Sequence, residues 1–148
     1  MTQTKIRPEQ INGAGKILQV LMGTYSTQTS NATTTAVDTG LTVSITPSST
    51  SSKIMIFVKT GELKADNASS GLEVTLVRDS TDIAQIALFA GYPTAGSREY
   101  SGIPYLDSPA TTSEVTYKTT FKRSVGTGTV YHCEASTLST IVVMEVAG

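Results

Sequence analysis

The residues that could do chemistry are few, and the adjacent pair His132 and Cys133 comes first. An imidazole beside a thiol could supply a general base and a nucleophile, or two ligands of a metal ion. The pair lies in the segment 129–136, which we interpret as a strand, and neighbouring residues of a strand point to opposite faces. We therefore predict that the two side chains do not act together. We expect Cys133, the chain's one cysteine, to be a small buried apolar residue.

Carboxylates are scattered along the chain, and no spacing singles out a pair. Cleavage of a glycosidic bond needs two carboxyl groups roughly 5–10 Å apart across one groove. We predict that the protein is not an enzyme, with no catalytic residue, no metal site and no cofactor. An enzyme that acts on a surface polysaccharide remains an alternative.

A third group of candidates lies in the segment 91–113, which contains three prolines and three glycines and which we interpret as a long loop. Loops of this length are often functional or interfacial. Its Arg98, Tyr100 and Tyr105 are of types favoured at protein interfaces, and tyrosine can also stack on sugars. The alternative is a well-anchored loop with Tyr105 packed against the edge of the fold.

The first fourteen residues form a fourth candidate, because they are too short to build a core and contain Pro8 and Gly13. We predict an extended arm over 1–14 that docks onto another protein. Its candidate docking residues mix cationic and apolar side chains: Lys5, Ile6, Arg7 and Ile11. The alternative is a frayed terminus.

The composition limits the classes of partner. The net charge is −1, so the chain lacks the basic footprint of nucleic-acid binding. No apolar run approaches the length of a membrane helix, and residues 1–10 have no apolar signal segment. We expect no contact with nucleic acid, no membrane insertion, and synthesis in a cytoplasm.

The elements that must position these residues are strands. Charged residues are only 16% of the chain, whereas there are 25 Thr and 17 Ser, types that favour strands and turns. At 148 residues, one all-β domain of about eight strands is expected, with the spacing of a sandwich or barrel. The predicted strands are 16–25, 41–46, 53–60, 72–79, 83–90, 114–124, 129–136 and 139–147.

Hydrophobic alternation predicts which side chains point inward. Leu41, Val43 and Ile45 share one face of their strand, and the strands 72–79 and 114–124 alternate in the same way. Strands 53–60 and 139–147 instead carry apolar residues on both faces. Such strands need a cover on each side, and a closed homo-oligomer would provide it.

In chain order, the sequence contains the phrases GAGKILQVLMGTYSTQT, VDTGLTVSITPSSTSSKIMIFV, LVRDST, YLDSPATTSEVTYKTTFK and STIVVMEVAG. Together they resemble a module of tailed-bacteriophage virion proteins that occurs in head-decoration and tail-fibre proteins. The resemblance covers nearly everything after residue 14. It implies an antiparallel, jelly-roll-like β-sandwich over 15–148 behind the arm at 1–14, a trimer, and no catalytic residues.

These observations together predict a virion structural protein made in a bacterial host. The short arm and one domain favour a trimeric capsid decoration (cement) protein, whose partners are copies of itself and the major capsid protein. The alternative is a tail-associated receptor-binding or fibre-tip protein that contacts tail proteins and a host cell-surface glycan.

Overall fold

A computed structural model describes residues 15–89 and 98–148. The predicted docking arm and its residues Lys5, Ile6, Arg7 and Ile11 lie outside the described residues. The described chain is all-β, as predicted. Its strands are β1 (Ile17–Tyr25), β2 (Thr29–Asn31), β3 (Val37–Ile45), β4 (Lys53–Lys59), β5 (Leu63–Ala65), β6 (Gly71–Arg78), β7 (Thr81–Phe89), β8 (Arg98–Glu99), β9 (Gly102–Asp107), β10 (Val115–Val125), β11 (Val130–His132) and β12 (Ser139–Val146).

The longer strands form two antiparallel sheets that pack face to face as a jelly-roll-like sandwich. The first sheet has the order β1-β12-β4-β9, and the second has the order β3-β10-β6-β7. The short strands form a third sheet in the order β2-β11-β5-β8. Every pairing between neighbouring strands is antiparallel.

The core lies between the two larger sheets, where the predicted alternation places it. Leu41 and Ile45 of β3 are buried, and Val43 between them packs against the core. The inward residues of β6 and β10 are also buried: Leu72, Leu76, Val115, Tyr117 and Phe121. Period-two burial thus sets the register of both strands.

A buried polar network joins the two sheets across this core. Arg78 of β6 donates from one guanidinium nitrogen to both carboxylate oxygens of Asp107 in β9, each at 2.9 Å. Tyr117 of β10 donates its hydroxyl to Asp107 at 2.7 Å. The hydrogen bond from Arg78 thus satisfies a carboxylate that burial alone would penalise.

Glu145 of β12 holds the serine-rich turn that precedes β4. Its carboxylate is buried and accepts hydrogen bonds from the backbone N–H and hydroxyl of Ser48, at 2.7 and 2.6 Å. Ser52 donates at 2.6 Å and the Gln19 amide of β1 at 2.7 Å. The turn is therefore fixed to the ends of β1 and β12.

The segment 91–113, predicted as a loop, and the segment 61–71, which lies between two predicted strands, both contain strands, and this part of the prediction was wrong. β5 lies within 61–71, and β8 and β9 lie within 91–113. β9 contains Pro104, which cannot donate a hydrogen bond from its backbone. β9 is an edge strand paired only with β4, where a proline is tolerated.

The strand predicted over 129–136 ends at His132. Cys133 has φ 55° and ψ 40°, which is left-handed, and a single 3₁₀ turn follows at Glu134–Ser136. The prediction that His132 and Cys133 point to opposite faces was wrong, because this left-handed residue breaks the strand geometry. Both side chains are buried, and the Cys133 Sγ lies 3.8 Å from Nε2 of His132.

Candidate functional site

On the outward side of the first sheet, eight apolar side chains lie opposite one another across all four strands, and we call these eight the apolar face. Two come from each strand, because alternate residues of a strand point to the same side. The members are Val20 and Met22 of β1, Val142 and Met144 of β12, Met55 and Phe57 of β4, and Pro104 and Leu106 of β9.

The pairing register aligns these residues in two rows across all four strands. In the first row Val20 is opposite Met144, Met144 opposite Met55, and Met55 opposite Leu106. In the second row Met22, Val142, Phe57 and Pro104 are opposite one another in the same order. Side chains directly opposite in a sheet touch, so the rows form one continuous apolar surface.

A single protomer leaves this surface open to solvent. The exposed fraction is 63% for Met22, 53% for Val20, 48% for Leu106 and 45% for Phe57. The prediction that β4 and β12 carry apolar residues on both faces is confirmed for β4, where Phe57 is exposed while Ile54 and Ile56 are buried.

The outward side of the second sheet is polar in comparison. Ser44 and Thr116 share a hydrogen bond of 2.8 Å across β3 and β10. Lys118 forms an ion pair with Asp38 at 2.9 Å, and Lys122 pairs with Glu73 at 3.1 Å. These side chains suit a surface that faces water, so the two outer surfaces of one sandwich have opposite character.

Of the three candidate residues in the segment 91–113, Arg98 and Tyr100 both contact one carboxylate, that of Glu62. Tyr105 does not take part in this contact. Arg98 forms an ion pair of 2.7 Å with Glu62, and the Tyr100 hydroxyl donates to the other oxygen of Glu62 at 3.2 Å. The Tyr100 ring is 55% exposed, and Lys59 Nζ lies 5.6 Å from its centroid. Tyr105 lies in β9 and packs against the core, as the anchored alternative expected.

The buried side chains of His132 and Cys133 both contact the hydroxyl of Ser139. Its Oγ lies 2.8 Å from His132 Nε2 and 3.2 Å from Cys133 Sγ, and it accepts a hydrogen bond from the backbone N–H of Gly61. Burial lowers the pKa of His132 to about 4 and raises the pKa of the Cys133 thiol. All three side chains are closed off from solvent, so a substrate cannot reach them.

Within residues 15–89 and 98–148, the side chains of His, Cys, Asp and Glu form no group of three that could hold a metal ion. No pocket opens on the surface of the same residues. No helix in this part of the chain is long and apolar enough to cross a membrane.

Sequence reasoning missed several residues of these surfaces. Glu62 joins Arg98 and Tyr100 from 36 and 38 positions away, a contact that no local pattern encodes. Pro104 and Leu106 were hidden in a segment that reads as a loop. The outward residues of β1 did have a signal, since the run Ile17–Met22 is apolar on both faces apart from Gln19.

Comparisons with known proteins bear on the fold. No family model matches the sequence, and a search of curated proteins found no match. The fold is similar to a chain in a structure of infectious bursal disease virus, strain Gt, with a TM-score of 0.50 and 13% identity. That alignment covers 100% of this chain and 43% of the viral chain, so this chain spans less than half the length of the viral one.

A second similar structure is the CBM36-1 domain of a multidomain xylanase from the hindgut metagenome of Trinervitermes trinervoides. Its TM-score is 0.44 at 7% identity, and the alignment covers 84% of this chain and 96% of that domain. What this chain shares with the viral structure is the jelly-roll-like sandwich.

Proposed function

We propose that the protein is a structural component of a tailed-phage virion, a trimeric capsid decoration protein. The phrases that resemble phage virion modules support this proposal, and so does the jelly-roll-like fold, which is similar to a chain of a virus structure. The proposed partners are copies of the same chain and the major capsid protein, and the proposed location is the virion head.

The observation that carries an assembly role is the exposed apolar face. A protein that works alone has little reason to keep Met22, Val20, Phe57 and Leu106 in water, because burying an apolar side chain is favourable. The largest apolar patch on a protein surface is often an interaction site. An assembly subunit covers such a surface in its working state.

The mechanism is mechanical. In this role the sandwich would act as a rigid body, and the hydrogen bonds of Glu145 to Ser48 and Ser52 would help to hold the turn 46–52 in place. Docking of the arm residues Lys5, Ile6, Arg7 and Ile11 onto neighbouring capsid subunits would bridge them. Opening one joint of the capsid would then also require breaking the bridge.

Labelled antibody imaging of purified virions tests the location. A pattern over the whole head, with hundreds of copies per particle, is expected. A pattern confined to the tail, with a handful to a few dozen copies, would contradict the decoration role. Absence from the purified particle would contradict the virion assignment altogether.

A tail-tip protein that binds a host glycan is the second candidate, and Tyr100 favours it. Its ring is exposed while its hydroxyl is held by Glu62, so the ring is a fixed platform on which a sugar could stack. Under this candidate, free protein competes with infection and the Tyr100→Ala variant does not. Tyr131, which lies near Lys64, offers a matched control substitution to Ala.

The proposal includes no enzymatic activity. Incubation of the protein with host polysaccharide is expected to release no sugar. Release that depends on a carboxylate of the chain would overturn this part of the proposal.

A further inference from the structure

We infer that the apolar face is the contact by which copies of this chain associate, and that it does not dock onto the capsid. This inference rests on the proposed function for its biological setting, but its physical basis is the described surface. It assigns one kind of partner, other copies of the same chain, to one set of eight side chains.

The shape of the surface is the first argument. The described residues form no pocket, and the apolar face is the side of a four-stranded sheet. A helix or an extended peptide binds in a groove, and a small ligand binds in a concave site. A sheet face is instead covered by a second layer of secondary structure, which can be the sheet of another protomer about 10 Å away. The chain carries such a sheet itself.

The area of the surface is the second argument. Four strands spaced about 4.8 Å apart and about 23 Å long present a projected area of roughly 450 Å². A stable interface takes about 800 Å² from each partner, with an apolar centre and a polar rim, so this face supplies the centre and the loops around it must supply the remainder. The eight apolar residues supply such a centre. Thr24, Thr140, Lys53 and Lys59 lie at the ends of the same strands and supply a rim.

Charge is the third argument. None of the eight residues is charged, and the ammonium groups at the ends of β4 are already engaged. Lys53 donates to the Ser108 hydroxyl at 3.0 Å, and Lys59 donates to the Leu138 carbonyl at 3.3 Å. With a net charge of −1, two copies repel each other little at long range. Homo-oligomer interfaces are also the more apolar class.

The outward side of the second sheet is polar, so an exposed apolar surface is not a general feature of this chain. That outward side carries the ion pairs Lys118–Asp38 and Lys122–Glu73, and its exposed Leu88 stands beside the polar Glu73. The face that would remain outside a homo-oligomer is thus the polar one. The sequence therefore distinguishes an inner from an outer side of the assembly.

Sedimentation velocity of the purified full chain over a concentration series tests the inference. The wild-type chain is expected to sediment as a closed oligomer. The Phe57→Lys variant places a charge at the middle of the apolar face, on a side chain that a single protomer leaves 45% exposed, and is expected to be a folded monomer. Val20→Lys on β1 repeats the test at a second position.

Leu88→Lys is the matched control, since it makes the same type of change on the other sheet at a residue 54% exposed. It is expected to keep the wild-type mass. A monomeric wild-type chain at all concentrations, or a Phe57→Lys variant that keeps the wild-type mass, would overturn the inference. If Phe57→Lys keeps its mass but no longer binds the virion, the face contacts the capsid, so the inference fails while the proposed function stands.

Discussion

At the scale of single residues, Glu145 shows how a buried charge can stabilise the fold. Burial alone would raise the pKa of its carboxyl group, but hydrogen bonds from Ser48, Ser52 and Gln19 together lower the pKa to about 2. Because the folded-state pKa lies below the unfolded value, the stabilisation is present above pH 4.5 and is lost as the pH falls toward 2.

Replacing Glu145 by Gln removes the charge and leaves the shape. Hydrogen bonds to a charged group contribute about 1.5–3 kcal/mol, so we expect Glu145→Gln to lower the free energy of unfolding by about 2 kcal/mol at pH 7. Chemical denaturation at pH 7 and at pH 3 measures the effect. The gap between the two proteins should narrow at pH 3. An equal gap at both values would contradict the charge argument.

His132 is also buried, but unlike Glu145 it stays neutral in the folded protein. Burial lowers its pKa to about 4, so the unfolded chain takes up a proton below pH 6.5 while the folded chain does not. The folded state therefore loses stability as the pH falls from 6.5 to 4, by roughly 3 kcal/mol at most. His132→Gln cannot be protonated, yet its amide can still reach Ser139.

We expect the melting temperature of the wild type to fall through this pH window and that of His132→Gln to fall less. Differential scanning calorimetry from pH 7 to pH 4 compares the two. Most of this pH window lies above the window set by Glu145, so the data between pH 6.5 and pH 4.5 separate the two effects. If the melting temperatures of the two proteins fall by the same amount between pH 6.5 and pH 4, His132 is not the titrating group.

At the scale of elements, the close approach of β1 to β3 depends on Gly23. A Cβ atom at this position would collide with the backbone carbonyl of Thr42. Because backbone cannot rotate away as a side chain does, we expect Gly23→Ala to destabilise the protein by about 1–3 kcal/mol. Thr24→Ala, which changes an exposed side chain on the other face of β1, is expected to stay within about 0.5 kcal/mol. Denaturant midpoints measure both.

The long strands could be predicted from the sequence because alternation is local. β3, β6 and β10 carry Leu41, Leu72 and Tyr117 inward at the predicted positions. β9 could not be predicted, since Pro104 and Gly102 mark a loop unless the strand is known to be an edge. The left-handed turn at Cys133 has no marker either, because cysteine is not a residue that favours that conformation.

The candidate surface was predictable only in part. The outward apolar residues of β4 and β12 follow from sequence, and they led to the expectation of an oligomer. The contribution of β9 required the pairing of Phe57 with Pro104 and of Met55 with Leu106. Register across strands that are distant in sequence is a property of the folded chain, which composition does not encode.

At the scale of the whole molecule, the two outer sides of the sandwich differ in polarity. The polar side of the second sheet, with its ion pairs at Lys118 and Lys122, suits a surface that faces water. The apolar side of the first sheet is stabilised when another surface covers it, because its side chains are then removed from water. In the proposed virion role, the net charge of −1 would limit repulsion between copies that lie close together.

The central claim is that copies of this chain cover the apolar face, and methionine oxidation can test it because Met22, Met55 and Met144 all lie on that face. Dilute hydrogen peroxide converts an accessible methionine to its sulfoxide, and peptide mass spectrometry locates the product. The measurement is the oxidation rate of Met22, 63% exposed in a single protomer, in the wild type and in Phe57→Lys, each normalised to the urea-unfolded chain. We predict strong protection in the wild type and loss of protection in the variant. Equal, fast oxidation of Met22 in both proteins would contradict the claim that copies of this chain cover the apolar face.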